Sequence, residues 1–353
     1  MTIPQPTNAS PTPTTSLPPT MNAVVNHRGG AITNGASFTD EQLPTPALAQ
    51  GHDLLVKVEA VSVNPVDTKL RAAHRTGSGR VLGFDAAGTV VSVGEATRLF
   101  RPGDRVFYAG DITRPGSDAA FQLVDERIVG HAPTSLSSAD AAALPLTSLT
   151  AWEALFDKLR IADTDTGTLL VVGAAGGVGS MVIQLAKTLT RLTVIALASN
   201  PASGDWARAL GADHVLDYRD PQCAERITEL AGHGVDYVFS AYSKGNIPLY
   251  AKVMRPFGQV VAIDDERDLD WYALKDKALS WHWEFMFARA KHHAPDVIRQ
   301  HEILERIAAL VDAGDLRTTV TRRLAPLNAS TLREAHSMVE THHMLGKVVI
   351  AAR

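Results

Sequence analysis

Residues 167–200 read GTLLVVGAAGGVGSMVIQLAKTLTRLTVIALASN, and the rest of the chain is organised around them. Leu169 to Val172 is a short, continuous apolar run rich in β-branched residues, the pattern of a strand buried on both faces. It meets Gly173, Gly176, Gly177 and Gly179. Beyond the glycines, Val178, Met181, Val182, Leu185 and Leu189 recur on one face of a helix. A second apolar run, Leu192 to Ala198, follows. Strand, glycine turn, helix and strand make one βαβ unit, with an expected right-handed crossover.

The helix of such a unit begins with backbone N–H groups that have no intrahelical partner and carry partial positive charge. A pyrophosphate can sit there when glycines let the backbone approach closely. The spacing departs slightly from GxGxxG, since Ala174 fills the slot of the first glycine, and it reads equally well as GxxGxxG from Gly173 to Gly179. A glycine-rich turn that only packs a helix on a strand would look similar in isolation. The strand before it and the helix and strand after it favour dinucleotide binding.

The chain has 353 residues, enough for two domains, with 45% hydrophobic and 20% charged residues, an ordinary globular balance. A formal net charge of −4 gives no electrostatic reason to expect nucleic acid or an anionic membrane surface as a partner. No apolar run has the length of a bilayer crossing. Cys223 is the only cysteine, which excludes an intramolecular disulfide and a cysteine-based zinc cluster, and it reads as a loop residue without a role. Residues 1–20 are rich in Pro, Thr and Ser, the composition of a disordered tail, and lack the pattern of a secretory signal, so the cytoplasm is the expected location.

From Met21 the texture is that of short strands broken by Gly and Pro: Asn22 to Asn26, Asp53 to Val63, Val81 to Val93, Val106 to Ala109 and Ala119 to Val124. These predict a compact, barrel-like β unit up to about residue 130. Ser137 or Ser138 can cap a short helix ended by Pro145, and Thr147 or Ser148 a longer one through Leu159. After Asn200 the α/β alternation continues: helices at Asp205 to Leu210 and Cys223 to Leu230, strands at His214 to Leu216, Val235 to Ser240 and Gln259 to Ile263. Lys275 to Ala290 reads as a largely apolar helix, and Arg299 to Ala313 as an amphipathic one. Strands at Thr318 to Leu324 and Lys347 to Ala351 flank a helix near Ala329 to Glu340, so β-texture returns at the end. The expected organisation is a tail at 1–20, a β-rich unit at 21–145, a dinucleotide-binding unit at 146–290, and a return to the first unit at 291–353.

Several stretches then coincide: VSVNPVDTKLR at 61–71, VLGFDAAGTV at 81–90, RPGDRVF at 101–107, LTSLTAWEAL at 146–155, ALGADHVLDYRD at 209–220 and LGKVVI at 345–350. Their order and spacing resemble the medium-chain dehydrogenase/reductase superfamily over nearly all of residues 21–353, and within it the zinc-independent quinone oxidoreductase branch. Residues 264–289, DDERDLDWYALKDKALSWHWEFMFAR, are similar to a subgroup labelled zinc-type alcohol dehydrogenase-like. The resemblance implies an α/β fold, a Rossmann doubly wound parallel sheet with a GroES-like β-barrel domain. It also implies that the slots of the zinc-dependent members' cysteine and histidine–glutamate ligands hold Asn64 and Phe84-Asp85. Asn and Phe cannot supply the thiolate or imidazole of a tetrahedral zinc site, so no metal is expected, although His27, His52, His74 and His131 could in principle regroup around one.

Without a Lewis acid the expected chemistry is hydride transfer from a nicotinamide to a carbonyl that already accepts electrons, a quinone or an α,β-unsaturated ketone. Asn64 is the first catalytic candidate, because the resemblance puts it in the cleft; Asp67 and Lys69 come second, with a solvated charged turn as the plain alternative. No acid follows the second strand, where Ala198, Ser199 and Asn200 stand, so a ribose 2′-phosphate is not repelled and NADPH is the expected cofactor. The resemblance matches Tyr218 and Arg219 to a pair beside the adenosine phosphate, Thr150 to a threonine near the nicotinamide, and Lys347 to a lysine near the cofactor phosphates. Ser240, Ala241, Tyr242, Ile263 and Asp264 end strands that face the cofactor crevice. The expected partners are a small-molecule substrate and a second copy of the chain, joined through the edge of the nucleotide-domain sheet. Alcohol dehydrogenation, and NADPH binding without turnover by a redox sensor, are the competing readings.

Overall fold

The computed structural model describes residues 17–33, 37–47, 49–74 and 77–353, so the expected tail lies outside the described residues up to position 16. A six-stranded parallel sheet runs in the order His214–Asp217, Thr193–Ala198, Thr168–Val172, Val235–Ser240, Met254–Ala262, Ser280–Trp283. Every residue of Thr168–Val172 is buried, as a continuous apolar run demands. Its side chains alternate between two cores: Leu169 and Val171 pack with Met181 and Val182 of the helix Gly177–Leu189, while Leu170 and Val172 pack with Ile227 and Tyr250 on the opposite face. Two further strands are laid down to one side of Thr168–Val172 before Val235–Ser240 takes the other side. Strand order reverses there, and a crevice opens outside the carboxyl ends of those two strands.

The first unit is built on a second sheet, in the order Val320–Leu324, Lys347–Ala351, Asp53–Ser62, Ala86–Val93, Arg105–Tyr108, Val129–His131, with Phe121–Asp125 also paired to Asp53–Ser62. A three-stranded sheet, Phe38–Pro44, Thr20–Asn26 and Arg80–Val81, joins it through Ala120, which donates to Asn22 O (2.9 Å) and accepts from Val58 N–H (3.0 Å). The last strand, Lys347–Ala351, runs antiparallel to Asp53–Ser62 with Val349 opposite Ser62, so the end of the chain enters the sheet begun by residue 53. No helix among the described residues is long and apolar enough to cross a membrane.

Local readings fail in four places. Lys275–Ala290 is not one helix: Ala278 has φ +50°, Ser280–Trp283 is an edge strand parallel to Met254–Ala262, and only Ala288–Lys291 is helical. Apolar residues four apart, Trp281 and Phe285, mimic a helical stripe, but pairing with the neighbouring strand wins. Pro145 opens the helix Pro145–Trp152 rather than ending its predecessor, since a residue without an N–H costs nothing in a first turn. Asp67 and Lys69 lie on the helix Pro65–Ala73, not in a solvated turn. Cys223 is not a loop residue: it begins the helix expected from that position, Cys223–Ala231, and is buried against the apolar cluster that contains Ile227.

Candidate active site

The crevice of the parallel sheet opens into a cleft of about 730 Å³ lined by both units. Its floor is the glycine turn. Gly173 has φ +85°, and a Cβ there would stand 2.8 Å from the Ala241 Cβ. A Cβ on Gly179 would stand 2.2 Å from the Gly173 carbonyl oxygen, so only glycine lets the helix start this close to the strand. Gly176 is the cap of Gly177–Leu189 and carries no side chain to satisfy the first amides, which leaves the N–H groups of Gly177, Val178 and Gly179 for a ligand. The chain's last segment lies over this turn: Gly346 N–H donates to Ala175 O at 2.8 Å. Ala174 completes the lining of the turn.

At the outer end, Ser199 and Asn200 follow the strand Thr193–Ala198. The Asn200 side chain caps the helix Pro201–Ala209, accepting from Ser203 N–H at 2.9 Å, so its oxygen is already engaged. Tyr218 and Tyr242 are both exposed and both line the cleft, where Lys244 joins them. Arg219 does not line it. Its guanidinium grips Asp217 through two bonds, at 2.9 and 2.7 Å, and holds that carboxyl down at about 2.

At the inner end a buried polar cluster joins the two units. Lys347 Nζ donates to Asn64 Oδ1 (2.5 Å), Val63 O (3.1 Å) and Asp85 Oδ2 (3.2 Å). Asn64 Nδ2 donates to the same Asp85 oxygen (2.8 Å), and Leu146 N–H to the other (2.8 Å). Burial pushes the Asp85 carboxyl up and the Lys347 ammonium down, each opposed by the charge of the other. The lysine stem passes Gly177, where a Cβ would meet its Cδ at 2.8 Å. Lys347 therefore lines the cleft with its stem while its ammonium turns away from the glycine turn, toward Asn64 and Asp85. Asp67, which accepts from Asn64 N–H at 2.7 Å, is buried behind the cleft rather than in it, and burial raises its carboxyl to about 7.

Among the other expected residues, Thr150, Ala241 and Ile263 line the cleft, though the Thr150 hydroxyl donates to Leu146 O of its own helix (2.8 Å). Ser240 points behind the strand, with its hydroxyl 2.7 Å from that of Tyr250, and Asp264 accepts from Ser243 N–H and Oγ–H. Lys69 reaches across to Asp265 at 2.6 Å, an exposed ion pair that contributes little to stability. Sequence reasoning missed Glu284 and the segment from His342 to Gly346, both of which line the cleft. The signal for Glu284 is a single acid inside the apolar run WHWEFMF.

A zinc ion does not fit these residues. The slots that the resemblance pointed to are an amide, a carboxylate and Phe84, whose ring packs edge-on against Phe287 (5.5 Å), and a lysine ammonium already bridges the amide and the carboxylate. No group of three or more His, Cys, Asp or Glu that could hold a metal occurs among the described residues.

Residues 50–133 match the family described as Alcohol dehydrogenase GroES-like domain, and residues 210–350 the family described as Zinc-binding dehydrogenase. The zinc-type alcohol dehydrogenase-like protein SAS2087 of Staphylococcus aureus (strain MSSA476) is 42% identical over 322 residues, covering 88% of this chain and 93% of that protein. A solved Rhizobium etli CFN 42 protein, described as a candidate zinc-dependent alcohol dehydrogenase, matches with TM-score 0.90 and 47% identity, over 94% of this chain and 98% of its own. The quinone oxidoreductase of Coxiella burnetii matches with TM-score 0.79 and 25% identity, over 95% of this chain and 100% of its own. Similarity of this extent, on a glycine turn and a two-unit fold of this kind, makes the chain a member of the medium-chain dehydrogenase/reductase superfamily, oxidoreductases that use nicotinamide cofactors.

Proposed function

We propose that this protein is an NADPH-dependent reductase that delivers hydride to quinones or α,β-unsaturated carbonyls without a metal. The observation that carries the reading is the Lys347 ammonium, held by Asn64 and Asp85 where zinc-dependent members carry metal ligands. A buried cation beside the cleft favours negative charge developing on a carbonyl oxygen, and its field is weakly screened there. It does not ionise an alcohol as a metal does. When bound, the nicotinamide supplies the hydride.

The chain's own residues bind, orient and exclude water. The free amides of Gly177, Val178 and Gly179 suit the pyrophosphate, and Tyr218 and Tyr242 suit the two sides of an adenine. Asn64 has both ends of its amide engaged, so it acts as a strut that fixes Lys347 rather than as a free donor. Phe285, Met286 and Leu345 line the cleft and keep water from the acceptor. NADPH over NADH is supported by the missing carboxylate after Ala198, by the pairing of Asp217 with Arg219, and by Lys244. A homodimer through the edge strand Ser280–Trp283 is supported by the exposed Trp283 and Trp271, whose rings lie 6.0 Å apart beside an unpaired strand edge.

The test is NADPH oxidation, followed by absorbance, with a panel of quinones and enones, before and after chelation. Turnover that survives chelation is expected. Stoichiometric zinc whose removal abolishes activity, or tight NADPH binding with no turnover on any acceptor, overturns the reading.

A further inference from the structure

Glu284 follows the edge strand, and its N–H donates to Ala262 O at 2.9 Å, which fixes it at the carboxyl end of Met254–Ala262 and at the cleft wall. It is only 5% exposed, yet neither of its carboxyl oxygens has a hydrogen-bond partner among the described residues. Its neighbour is a second buried acid, Glu153, 3% exposed, from the segment that continues the helix Pro145–Trp152. Glu153 Oε2 is ion-paired with Arg289 at 2.8 Å, while its Oε1 has no partner among the described residues. Arg289 is already divided among Glu153, Asp157 (2.8 Å) and Asp296 (3.0 Å).

The side-chain amide beside the pair, that of Gln300, gives its N–H to Met286 O, so three carboxyl oxygens would be left as bare acceptors in a buried site. One proton on the pair resolves this, because a neutral carboxyl donates as well as accepts. The surrounding charges set which acid carries it. Glu153 faces the Arg289 guanidinium and stays the anion. Glu284 is pushed up to about 9, first by burial and then by the Glu153 charge, against the pull of Lys158 and Arg289. Asp157 adds repulsion on the Glu153 side, and Arg299 approaches Asp157 at 4.0 Å.

We propose that Glu284 is the acid that completes the reduction, giving its proton to the anion formed on the substrate, with Glu153 as the positioning residue that shares the proton and Arg289 as the anchor of Glu153. The inference rests on the reductase reading above. Hydride reduces the acceptor by two electrons and leaves an enolate or a hydroquinone monoanion. The Oε–H bond of Glu284 breaks, a C–H or O–H bond forms on that anion, and the remaining carboxylate takes a proton from water before the next turnover. Other cleft donors are engaged or wet: Lys347 has its three bonds, Thr150 donates to its own helix, and His342 and His343 are exposed.

The test combines a readout independent of turnover with kinetics. In the cofactor-free protein, infrared difference spectra of wild type minus Glu284→Gln should show the C=O stretch of a protonated carboxylic acid at neutral pH, lost as pH rises through about 9. In the loaded enzyme, Glu284→Gln should lower kcat by about 10²-fold or more while NADPH affinity by calorimetry changes by less than about twofold. Glu284→Asp should restore part of the rate. Glu153→Gln removes the neighbouring negative charge, so the alkaline limb of kcat should move to lower pH, a change that a merely structural role would not produce. Should Glu284→Gln fail to fold, the wild-type band and the Glu284→Asp rate carry the test. Absence of the band, or a Glu284→Gln enzyme with wild-type kcat and pH profile, overturns the proposal while leaving the reductase reading intact. A wild-type protein that turns over no quinone or enone overturns both.

Discussion

Replacing Lys347 with methionine keeps the stem that passes Gly177 and deletes the charge beyond it. The ammonium is 3% exposed at its side chain and Asp85 is fully buried, so the variant strands a carboxylate that solvent cannot reach. Removing one partner of such a pair costs about 3–5 kcal/mol. Asp85 retains the N–H groups of Asn64 and Leu146, and it can escape its charge by binding a proton. Its carboxyl is already raised by burial, and losing Lys347 raises it further. A carboxyl raised in the folded state binds a proton there that the unfolded chain releases, so stability is retained at low pH and lost as pH rises through the folded value. The deficit of Lys347→Met should therefore be small near pH 4, at the unfolded carboxyl's own value, and reach about 3–5 kcal/mol near pH 8, roughly 4–7 °C in Tm for a chain of this length. Adding Asp85→Asn should recover most of it. Urea unfolding followed by tryptophan fluorescence at the two pH values measures this. A deficit below about 1 kcal/mol, or one that does not change with pH, would show that Lys347 is not neutralising Asp85.

Gly179→Ala places a methyl 2.2 Å from the Gly173 carbonyl oxygen and must push the helix off the strand, so NADPH Kd by calorimetry should rise at least about tenfold; unchanged affinity would mean that the phosphates bind elsewhere. Asp67, raised to about 7 by burial, with the Asn64 N–H and Lys347 opposing and Asp85 adding like charge, destabilises the fold once it ionises, so Asp67→Asn should be neutral below about pH 4 and stabilising by up to a few kcal/mol above pH 7, read as Tm against pH. A variant with no gain at alkaline pH would refute that burial cost. Trp283→Glu puts a charge on the exposed edge strand and should convert a dimer to a monomer in light scattering; a wild-type monomer would remove the interface altogether.

What could be read from the sequence is what short-range pattern encodes. The run Leu169 to Val172, the glycines and the apolar face of Gly177–Leu189 are local, and Val235–Ser240 and Ala329–Glu340 carry their own boundaries. The cleft residues that follow from strand ends, such as Ala241 and Ile263, come with that topology. The polar cluster is different in kind. Lys347 is 283 positions from Asn64 and 262 from Asp85, and no periodicity links them. Asp67 beside Lys69 has the look of a wet turn, because Phe84, Asp85 and Asp118 are brought against it from elsewhere in the chain. Trp281 and Phe285 suggest a helix until the strand Met254–Ala262 is there to pair with.

The same long-range closure explains why the two units behave as one binding site. Gly346 is bonded to the glycine turn through Ala175, and the residue after it sends its ammonium into the β unit to Asn64 and Asp85. Gly346 has φ +55°, and a Cβ there would stand 2.1 Å from the Thr319 oxygen, so this approach depends on a glycine. One dipeptide therefore holds both the phosphate-binding end and the polar end of the cleft. A ligand that fastens the helix Gly177–Leu189 restrains Lys347 through its stem, and Lys347 in turn fixes the amide that separates Asp85 from the cleft. The position of the cation is thus set by the same backbone that would receive the cofactor, which on the proposed reading keeps its charge in register with the hydride donor.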